Sequence, residues 1–338
     1  MNLESRNTEG GIHTMYVLGI DGGGTKTTGM VADENGNVYM QAVTGRSNPN
    51  TLSQQEFEQV MSNLIIELKI QRPDVFEELT ACFAGMAGVG ESGRDVEVAQ
   101  LLKKYLPSKT EVIVKNDAVN ALYSGTLGAP GIVQIAGTGA IAFGVNENQQ
   151  IVRSGGWGYL FDDEGSGFYL GNEALRSVFQ SHDGRGSATK LTNLFLQHFN
   201  VTRVPDIIGQ VYCQEHPRSV IAPLAPYVVE AAMSKDEVAL KIIQKACEAM
   251  MSCIESCHRQ LFEADHSTMI ILSGGVFTHS ELFTRLLSEL AIQRSLPNVT
   301  FQKTQVPPVG GAIIAALQSQ NLKQGEQFAT YMNEQIRK

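Results

Sequence analysis

The chain has few cysteines, a single tryptophan, no long apolar run and no block of basic residues. Five cysteines among 338 residues do not make a disulfide framework, so we expect a reducing, cytoplasmic setting. No apolar run approaches the roughly 18–20 residues that span a bilayer, so no membrane role is expected. The net charge of −9 argues against nucleic acid as a partner, although it leaves a nucleotide possible.

The first fourteen residues are also poor in structural signals. Residues 1–14 are polar and contain glycine, and they lack the basic start and apolar middle of a signal peptide. We predict a disordered leader or a cloning remnant here, with the folded protein beginning at Met15.

Strands alternate with helices along the first half, which indicates an α/β fold. Strands are predicted over residues 16–20, 27–32, 38–43, 80–85 and 111–115. Ser53 and Glu56 form a capping-box pattern at the start of one helix, and a second helix is expected near 95–105. The length of the chain favours two domains.

The second half begins with a strand–turn–strand unit that repeats the first at a constant offset of 113. Gly24-Thr25 aligns with Gly137-Thr138, and Glu34-Asn35 aligns with Glu147-Asn148. We therefore predict duplicated domains at 15–128 and 129–338, with their glycine turns on opposite walls of one cleft. Helical insertions are expected up to about 262, and the last helix is free to pack back on the N-terminal domain.

Two further signals lie in the C-terminal half. Ser234 and Glu237 suggest a second capping box, which would open a long helix through Cys257. Residues 268–272 read as a buried strand that ends in a glycine pair.

The segment DGGGTKT at residues 21–27 carries the clearest chemical signal. Three glycines between two strands leave backbone amides free to bind an anion such as a phosphate. Thr25 and Thr27 add hydroxyl donors, Lys26 can offset charge, and Asp21 can hold Mg²⁺ directly or through water. The alternative is a tight hairpin turn without a ligand. Neither the Walker nor the dinucleotide-binding spacing is present.

Other glycines could approach a ligand in the same way. The turn AGTGA at 136–140 matches the register of the first turn, and Gly274 with Gly275 follows the buried strand. A pair at Gly310 and Gly311 is equally well explained by helix–strand packing.

The general base is predicted at Asp117. This residue directly follows the strand over 111–115, and ligands of α/β proteins bind at the carboxyl ends of strands. A carboxylate there can accept the proton of a hydroxyl that attacks phosphorus. The alternative is an Asx turn that caps the next helix.

Two segments could hold a polar, ring-shaped acceptor such as a sugar. The only tryptophan, Trp157, lies between glycines, and Asp162, Asp163 and Glu164 follow it. Alternatively, these acidic residues could interact favourably with the positive N-terminal end of a helix dipole. The segment SNPN at 47–50 offers amide side chains, although Asn-Pro is also common in turns.

Taken together, the motifs of this chain resemble those of the N-acetylglucosamine kinases in the BadF/BadG/BcrA/BcrD ATPase group. In order along the sequence, they are DGGGTKT, NDA, GTGA, GGWG-x4-DEGS, SGGVF and PPVGGA. These kinases belong to the superfamily of actin, hexokinase and the heat-shock chaperones. The resemblance runs from about Met15 to Leu317. It implies two ribonuclease-H-like, actin-like ATPase domains, with ATP, Mg²⁺ and a small-molecule amino sugar meeting in the cleft, and a homodimer.

The resemblance also implies roles for individual residues. Asp117 would be the catalytic base and would contact the sugar. The implied ATP contacts are Gly22, Gly23, Gly24, Thr25, Gly137, Thr138, Gly139, Gly274 and Gly275. The implied sugar contacts are Gly156, Trp157, Gly158, Asp163 and either Asn48 or Asn50. Ala140 stands where some relatives have a serine that contacts the sugar, which leaves the exact sugar open.

Two functions follow from the resemblance. The first is transfer of the γ-phosphate of ATP to an amino-sugar hydroxyl, expected to be the 6-hydroxyl of N-acetylglucosamine or N-acetylmuramic acid; glucosamine is a further possible acceptor. The second is an ATP-driven activator of a dehydratase, whose cysteines hold an iron–sulfur cluster at a dimer interface. The GGWG-x4-DEGS segment favours the kinase.

Overall fold

The computed structural model describes residues 14–336, without the side chains of residues 91, 92 and 280. The leader predicted over 1–14 therefore lies, except for Thr14, outside the described residues. By its contacts the chain forms two compact units, one reaching Asn120 and resuming at Pro308, the other running from Ala121 to Pro307. The domain boundary at 128/129 stays a prediction. No helix in the described range is long and apolar enough to cross a membrane.

The N-terminal unit is built on a five-stranded mixed sheet of order β3-β2-β1-β4-β5. The strands are β1 Tyr16–Gly22, β2 Lys26–Asp33, β3 Val38–Gly45, β4 Leu79–Met86 and β5 Glu111–Lys115. β2 is antiparallel to β1 and β3, while β4 is parallel to β1 and β5. All five predicted strands are confirmed.

The same unit also contains helices, of which α5 only begins in it. They are α1 Gln54–Gln71, α2 Pro73–Phe76, α3 Val89–Ser92, α4 Asp95–Lys103, α5 Ala118–Thr126, α13 Pro308–Ser319 and α14 Glu326–Ile336. The predicted capping box of α1 is confirmed, because Ser53 accepts from the Glu56 amide and the Glu56 carboxylate accepts from the Ser53 amide. The division between the two units falls within α5.

The C-terminal unit has a second five-stranded sheet, of order β10-β9-β6-β7-β8. The strands are β6 Gly131–Ala136, β7 Ala140–Val145, β8 Ile151–Gly155, β9 Thr268–Ser273 and β10 Val299–Lys303. The helices are α6 Gly167–His182, α7 Leu191–Phe199, α8 Ile207–Tyr212, α9 Pro217–Ile221, α10 Ala225–Met233, α11 Glu237–Leu261 and α12 Ser280–Gln293, with 3₁₀ turns at Val204–Asp206, Ala222–Leu224 and Gly275–His279.

The two sheets repeat one another, as the offset of 113 predicts. Read from the other edge, the second sheet has the order β8-β7-β6-β9-β10, with the same antiparallel and parallel pairings as the first. The turns after the second strand also match. The Asp33 carboxylate accepts from the amides of Asn35 and Asn37, and Asn146, 113 residues later, accepts from those of Asn148 and Gln150.

Helix α13, which lies about 290 residues after β1 in sequence, packs on that strand at Gly19. A Cβ atom at Gly19 would lie 2.7 Å from the Ile313 nitrogen and 2.9 Å from the Val309 oxygen. Only glycine therefore allows this backbone approach. The adjacent Gly310 and Gly311 are buried within α13, which agrees with the packing interpretation of that pair.

The second predicted capping box is wrong. The N-cap of α11 is Asp236, whose carboxylate accepts from the Ala239 amide at 2.9 Å. Ser234 instead is the C-cap of α10. Lys235, between Ser234 and Asp236, has a left-handed φ of 62°, so the helix does not continue through it. Asp236 also accepts from the Lys190 amide at 2.8 Å, so a tertiary contact reinforces this cap.

Candidate active site

The first glycine turn joins β1 to β2. The Gly23 amide donates to the Lys26 carbonyl oxygen at 3.0 Å, which closes the turn, and Gly24, Thr25 and Lys26 are exposed at its tip. Thr27 lies away from the tip. It is buried in β2 and donates its hydroxyl to the Gly45 oxygen at 2.7 Å.

Two of the glycines of this turn, Gly22 and Gly24, have different surroundings. A Cβ at Gly22 would lie 2.6 Å from the Ser47 hydroxyl oxygen, so packing explains that residue. A Cβ at Gly24 would meet no described atom within 4 Å, and its backbone does not have the positive φ that favours glycine. Neither packing among the described residues nor backbone conformation therefore requires a glycine at position 24.

The second turn repeats this property. Gly137, the residue 113 positions after Gly24, also has open space where its Cβ would lie. Its amide donates to the Gly139 oxygen at 2.9 Å, and its carbonyl oxygen accepts from the Gly167 amide at 2.7 Å. The turn is therefore fixed by hydrogen bonds, and one face of it is open to a ligand.

A cavity of about 690 Å³ adjoins the second turn within the C-terminal unit. Its size falls in the range typical of small-molecule sites. Gly137 and Thr138 line one part, Gly275 and Val276 another, and Pro226 and Val229 supply apolar surface. The arrangement suits a ligand with an apolar ring and an anionic tail. Gly274 is needed structurally, since its φ is 106° and a side chain would collide with the Ala136 oxygen.

Asp117 and Asp21 form an acidic pair in the N-terminal unit. Asp117 lies between the end of β5 and the start of α5, and Asp21 lies in β1 beside the first turn. Burial, together with the negative charge of Asp21, raises the pKa of Asp117 to about 7. Burial also raises the pKa of Asp21, against the opposing effects of Asn120 and Lys26.

Asn116 makes the Asx turn at the start of α5, although the Ala118 amide also acts on the Asp117 carboxyl and lowers its pKa against the effect of burial. The Asn116 side chain accepts from the Ala118 amide at 2.9 Å, at the first residue of α5. A carboxyl with a pKa near 7 and a place at a strand end is suited to accept a proton at neutral pH.

Asn120 fixes the position of Asp21, a role that the sequence did not reveal. Its amide nitrogen donates to the Asp21 carboxylate at 2.8 Å and to the Ile20 oxygen at 3.2 Å. Gly85 leaves the room that Asn120 occupies, because a Cβ there would overlap its side chain. A helical asparagine carries no pattern in sequence, so only the fold exposes this contact.

The two asparagines of the SNPN segment differ in their contacts. Asn50 donates its side-chain amide to the Gly88 oxygen at 2.9 Å, and the Asn48 oxygen accepts from the Asn50 backbone amide at 2.9 Å. Both side chains lie near Gly88, whose φ is 80°. Asn48 is half-buried and Asn50 is exposed.

Trp157 has one covered face and is otherwise open. The Arg153 guanidinium stacks on its ring at 4.0 Å, and its backbone amide donates to the Asp162 carboxylate at 2.9 Å. The side chain is 62% exposed. The flanking Gly156 and Gly158 have φ values of 75° and 107°, so glycines are needed to form this loop.

Asp163 is buried rather than open, in contrast to Trp157. It has a φ of 69°, and its carboxylate accepts from the Ala140 amide at 3.3 Å. Burial raises the pKa of this carboxyl, while the Ala140 amide and the Arg218 charge act in the opposite direction. Arg218 is a second residue that sequence reasoning missed, because it stands in a polar segment without periodicity.

A family model described as the BadF/BadG/BcrA/BcrD ATPase family matches residues 18–318. The chain belongs to this family. Its resemblance to the group, inferred from the motifs, is thereby confirmed.

Among curated proteins, the chain is similar to two kinases. It is 31% identical over 312 residues to N-acetyl-D-glucosamine kinase of Dictyostelium discoideum, which covers 89% of this chain and 98% of that protein. It is 31% identical over 264 residues to N-acetylmuramic acid/N-acetylglucosamine kinase of Clostridium acetobutylicum. That match covers 78% of this chain and 86% of that protein.

Solved structures share the fold. A candidate N-acetylglucosamine kinase from Chromobacterium violaceum has a TM-score of 0.67 at 24% identity, covering 90% of this chain and 99% of that chain. A ROK family glucokinase from Streptomyces griseus, solved with glucose and AMPPNP, has a TM-score of 0.56 at 17% identity. The match covers 90% of this chain and 99% of that chain. The predicted α/β, actin-like fold class is confirmed.

Proposed function

We propose that the protein is an ATP-dependent amino-sugar kinase in which Asp117 is the general base. The observation that carries this proposal is the place of Asp117, between the end of β5 and the start of α5, close enough to Asp21 of the first glycine turn for the two carboxyl groups to interact. The names of the two curated relatives direct the choice of acceptor to an N-acetylated sugar. We expect its 6-hydroxyl to be the group that is phosphorylated.

The proposed step is a phosphoryl transfer. The Asp117 carboxylate accepts the proton of the sugar hydroxyl, whose oxygen forms a bond to the γ-phosphorus of ATP. The bond between that phosphorus and the β–γ bridging oxygen breaks, and ADP leaves with the electron pair. The proposed phosphate donors are the Gly24 amide and the Thr25 hydroxyl in the first turn and the Thr138 hydroxyl in the second, where the Gly137 amide is already bonded to the Gly139 oxygen.

Asp21 has the chemistry of a magnesium ligand. No group of three or more acidic, histidine or cysteine side chains that could hold a metal occurs in the described part of the chain. Mg²⁺ needs fewer, because it keeps waters and uses one or two carboxylates with substrate phosphates. Asp21 beside Asp117 and the first turn fits that pattern. It would hold the ion, directly or through water, and the ion would neutralise phosphate charge.

For the acceptor, the side chains that suit a sugar are the exposed Trp157 and the two asparagines. An aromatic face stacks on the apolar face of a sugar ring, and Arg153 leaves the second face of Trp157 available. The amides of Asn48 and Asn50 are matched to hydroxyl or acetamido groups. Glucosamine remains the alternative acceptor, and it would lack the acetyl group.

The cysteines give no support to the activator alternative. Cys247 and Cys257 lie buried in α11, and burial raises the pKa of each thiol to about 12. These thiols pack as small core residues of one helix, and no pair of cysteines directly follows either glycine turn in sequence.

The test is Asp117→Asn, assayed by coupled ADP release with N-acetylglucosamine, N-acetylmuramic acid, glucosamine and glucose. We expect kcat to fall by about 10²–10⁴-fold, with ADP affinity nearly unchanged in calorimetric titrations. Asp183→Asn, at an exposed residue paired with Arg185, is the control and should match the wild type. Full activity of Asp117→Asn would refute the assignment of the base. No ADP release with any sugar would refute the kinase.

A further inference from the structure

An ion pair connects Asp163 to the cavity beside the second glycine turn. Asp163 is 4% exposed, and both of its carboxylate oxygens have partners. One accepts from the Ala140 amide at 3.3 Å, and the other lies 3.2 Å from an Arg218 terminal nitrogen. The Asp163 carboxylate therefore bonds both to the backbone beside the second glycine turn, at Ala140, and to Arg218.

Arg218 is held in place by more than this pair. It lies on α9, and its guanidinium lies over the Tyr159 ring at 5.2 Å. A Cβ at Gly139 would be 2.9 Å from both the Arg218 nitrogen and the Asp163 oxygen. The turn glycine thus leaves the space in which the ion pair sits.

Arg218 also lines the cavity of about 690 Å³, together with Gly137 and Thr138. Among the described residues lining it, Arg218 is the only arginine or lysine. Asp163 engages one terminal nitrogen, and the Nε atom is buried without a hydrogen-bond partner in the described range. A guanidinium has five N–H donors, so most of this group's donors are not used by Asp163.

We propose that Arg218 binds the phosphates of the nucleotide and that Asp163 is the positioning residue that holds it there. A fixed guanidinium beside neutral backbone amides supplies charge-assisted hydrogen bonds to phosphate oxygens. This proposal rests on nucleotide binding in the proposed kinase, and it adds a positioning role to the sugar contact that the family resemblance implies for Asp163.

The test measures binding of ADP and of adenosine to the whole protein by calorimetric titration, without any sugar. Arg218→Gln should weaken ADP at least tenfold and leave adenosine unchanged, because adenosine has no phosphate. Arg218→Lys should lose less ADP affinity, since it keeps the charge without the planar fork. Arg176→Gln, at an exposed residue paired with Glu173, is the control and should bind both ligands like the wild type.

A double-mutant cycle tests the positioning role. Asp163→Asn retains an oxygen for the Ala140 amide but loses the charge that holds Arg218. It should weaken ADP severalfold in the wild-type background and have no further effect in the Arg218→Gln background. The KM for the sugar should stay unchanged in Arg218→Gln.

Each other outcome has a definite meaning. Equal ADP affinity in wild type, Arg218→Gln and Arg218→Lys overturns the inference while leaving the kinase intact. A raised KM for the sugar in Asp163→Asn, with ADP affinity preserved, assigns Asp163 to the acceptor instead and also overturns it. Failure of the wild type to bind ADP would count against the proposed kinase itself.

Discussion

The raised pKa of Asp117 predicts an unusual dependence of stability on pH. Its folded-state pKa of about 7 lies above the unfolded value of 3.8, so the folded state binds the proton more tightly. The stability that depends on this proton is complete below about pH 4 and is lost as the pH rises through 7. Asp117→Asn keeps a neutral group of similar shape at every pH, and it should escape this loss.

The magnitude follows from the size of the shift. One pKa unit corresponds to about 1.4 kcal/mol, so a shift of about three units amounts to roughly 4 kcal/mol. Because the Asp117 side chain is only half-buried and keeps partial access to water, we expect the wild type to lose about 2–4 kcal/mol of unfolding free energy relative to Asp117→Asn as the pH rises through 7. Asp117→Asn should therefore gain stability relative to the wild type by about 1 kcal/mol per pH unit between pH 5 and 7, and no more above pH 8.

The assay is denaturant unfolding at pH 5, 6, 7 and 8, without nucleotide or Mg²⁺. The matched control is Asp183→Asn. Arg185 lowers the pKa of Asp183, so that carboxyl stays ionised over the whole range and its difference from the wild type should be constant. A constant difference for Asp117→Asn as well would show an ordinary pKa and refute the reasoning.

Two further variants test the fold and the acceptor site. Gly19→Ala should destabilise by about 1–3 kcal/mol, because its Cβ meets the backbone of α13; Gly45→Ala, whose Cβ would meet only Val60 at 4.0 Å, should be nearly neutral in the same denaturation assay. A neutral Gly19→Ala would contradict the close packing. Trp157→Ala should raise the KM for the sugar about tenfold without changing the melting temperature, and Tyr212→Ala, at an aromatic residue that is 80% exposed, should change neither. An unchanged KM would remove Trp157 from the acceptor site.

Local patterns predicted the strands, the first capping box and the repeat, because each depends on neighbours in sequence. The Asx turns at Asp33 and Asn146 illustrate this, since a short side chain bonds its own backbone two and four residues on. The cap of α11 escaped prediction because a left-handed Lys235 separates Ser234 from the helix.

The site was harder to predict than the fold. DGGGTKT does not reveal that Gly22 serves packing whereas Gly24 faces open space, because the difference depends on Ser47 and Met86 from other elements. Asn120 and Arg218 were missed for the same reason. Their partners lie 99 and 55 residues away in the chain, and no spacing rule connects residues so far apart.

The contact between α13 and β1 has a consequence for synthesis on the ribosome. The strand is made before the helix that covers Gly19, because α13 follows only after the residues up to Pro307. The C-terminal unit is continuous in sequence, so all of its strands can pair before α13 exists. A released chain that ends at Pro307 would therefore keep every strand of the second sheet but would leave β1 without α13 on one face, a surface suited to capture by a chaperone.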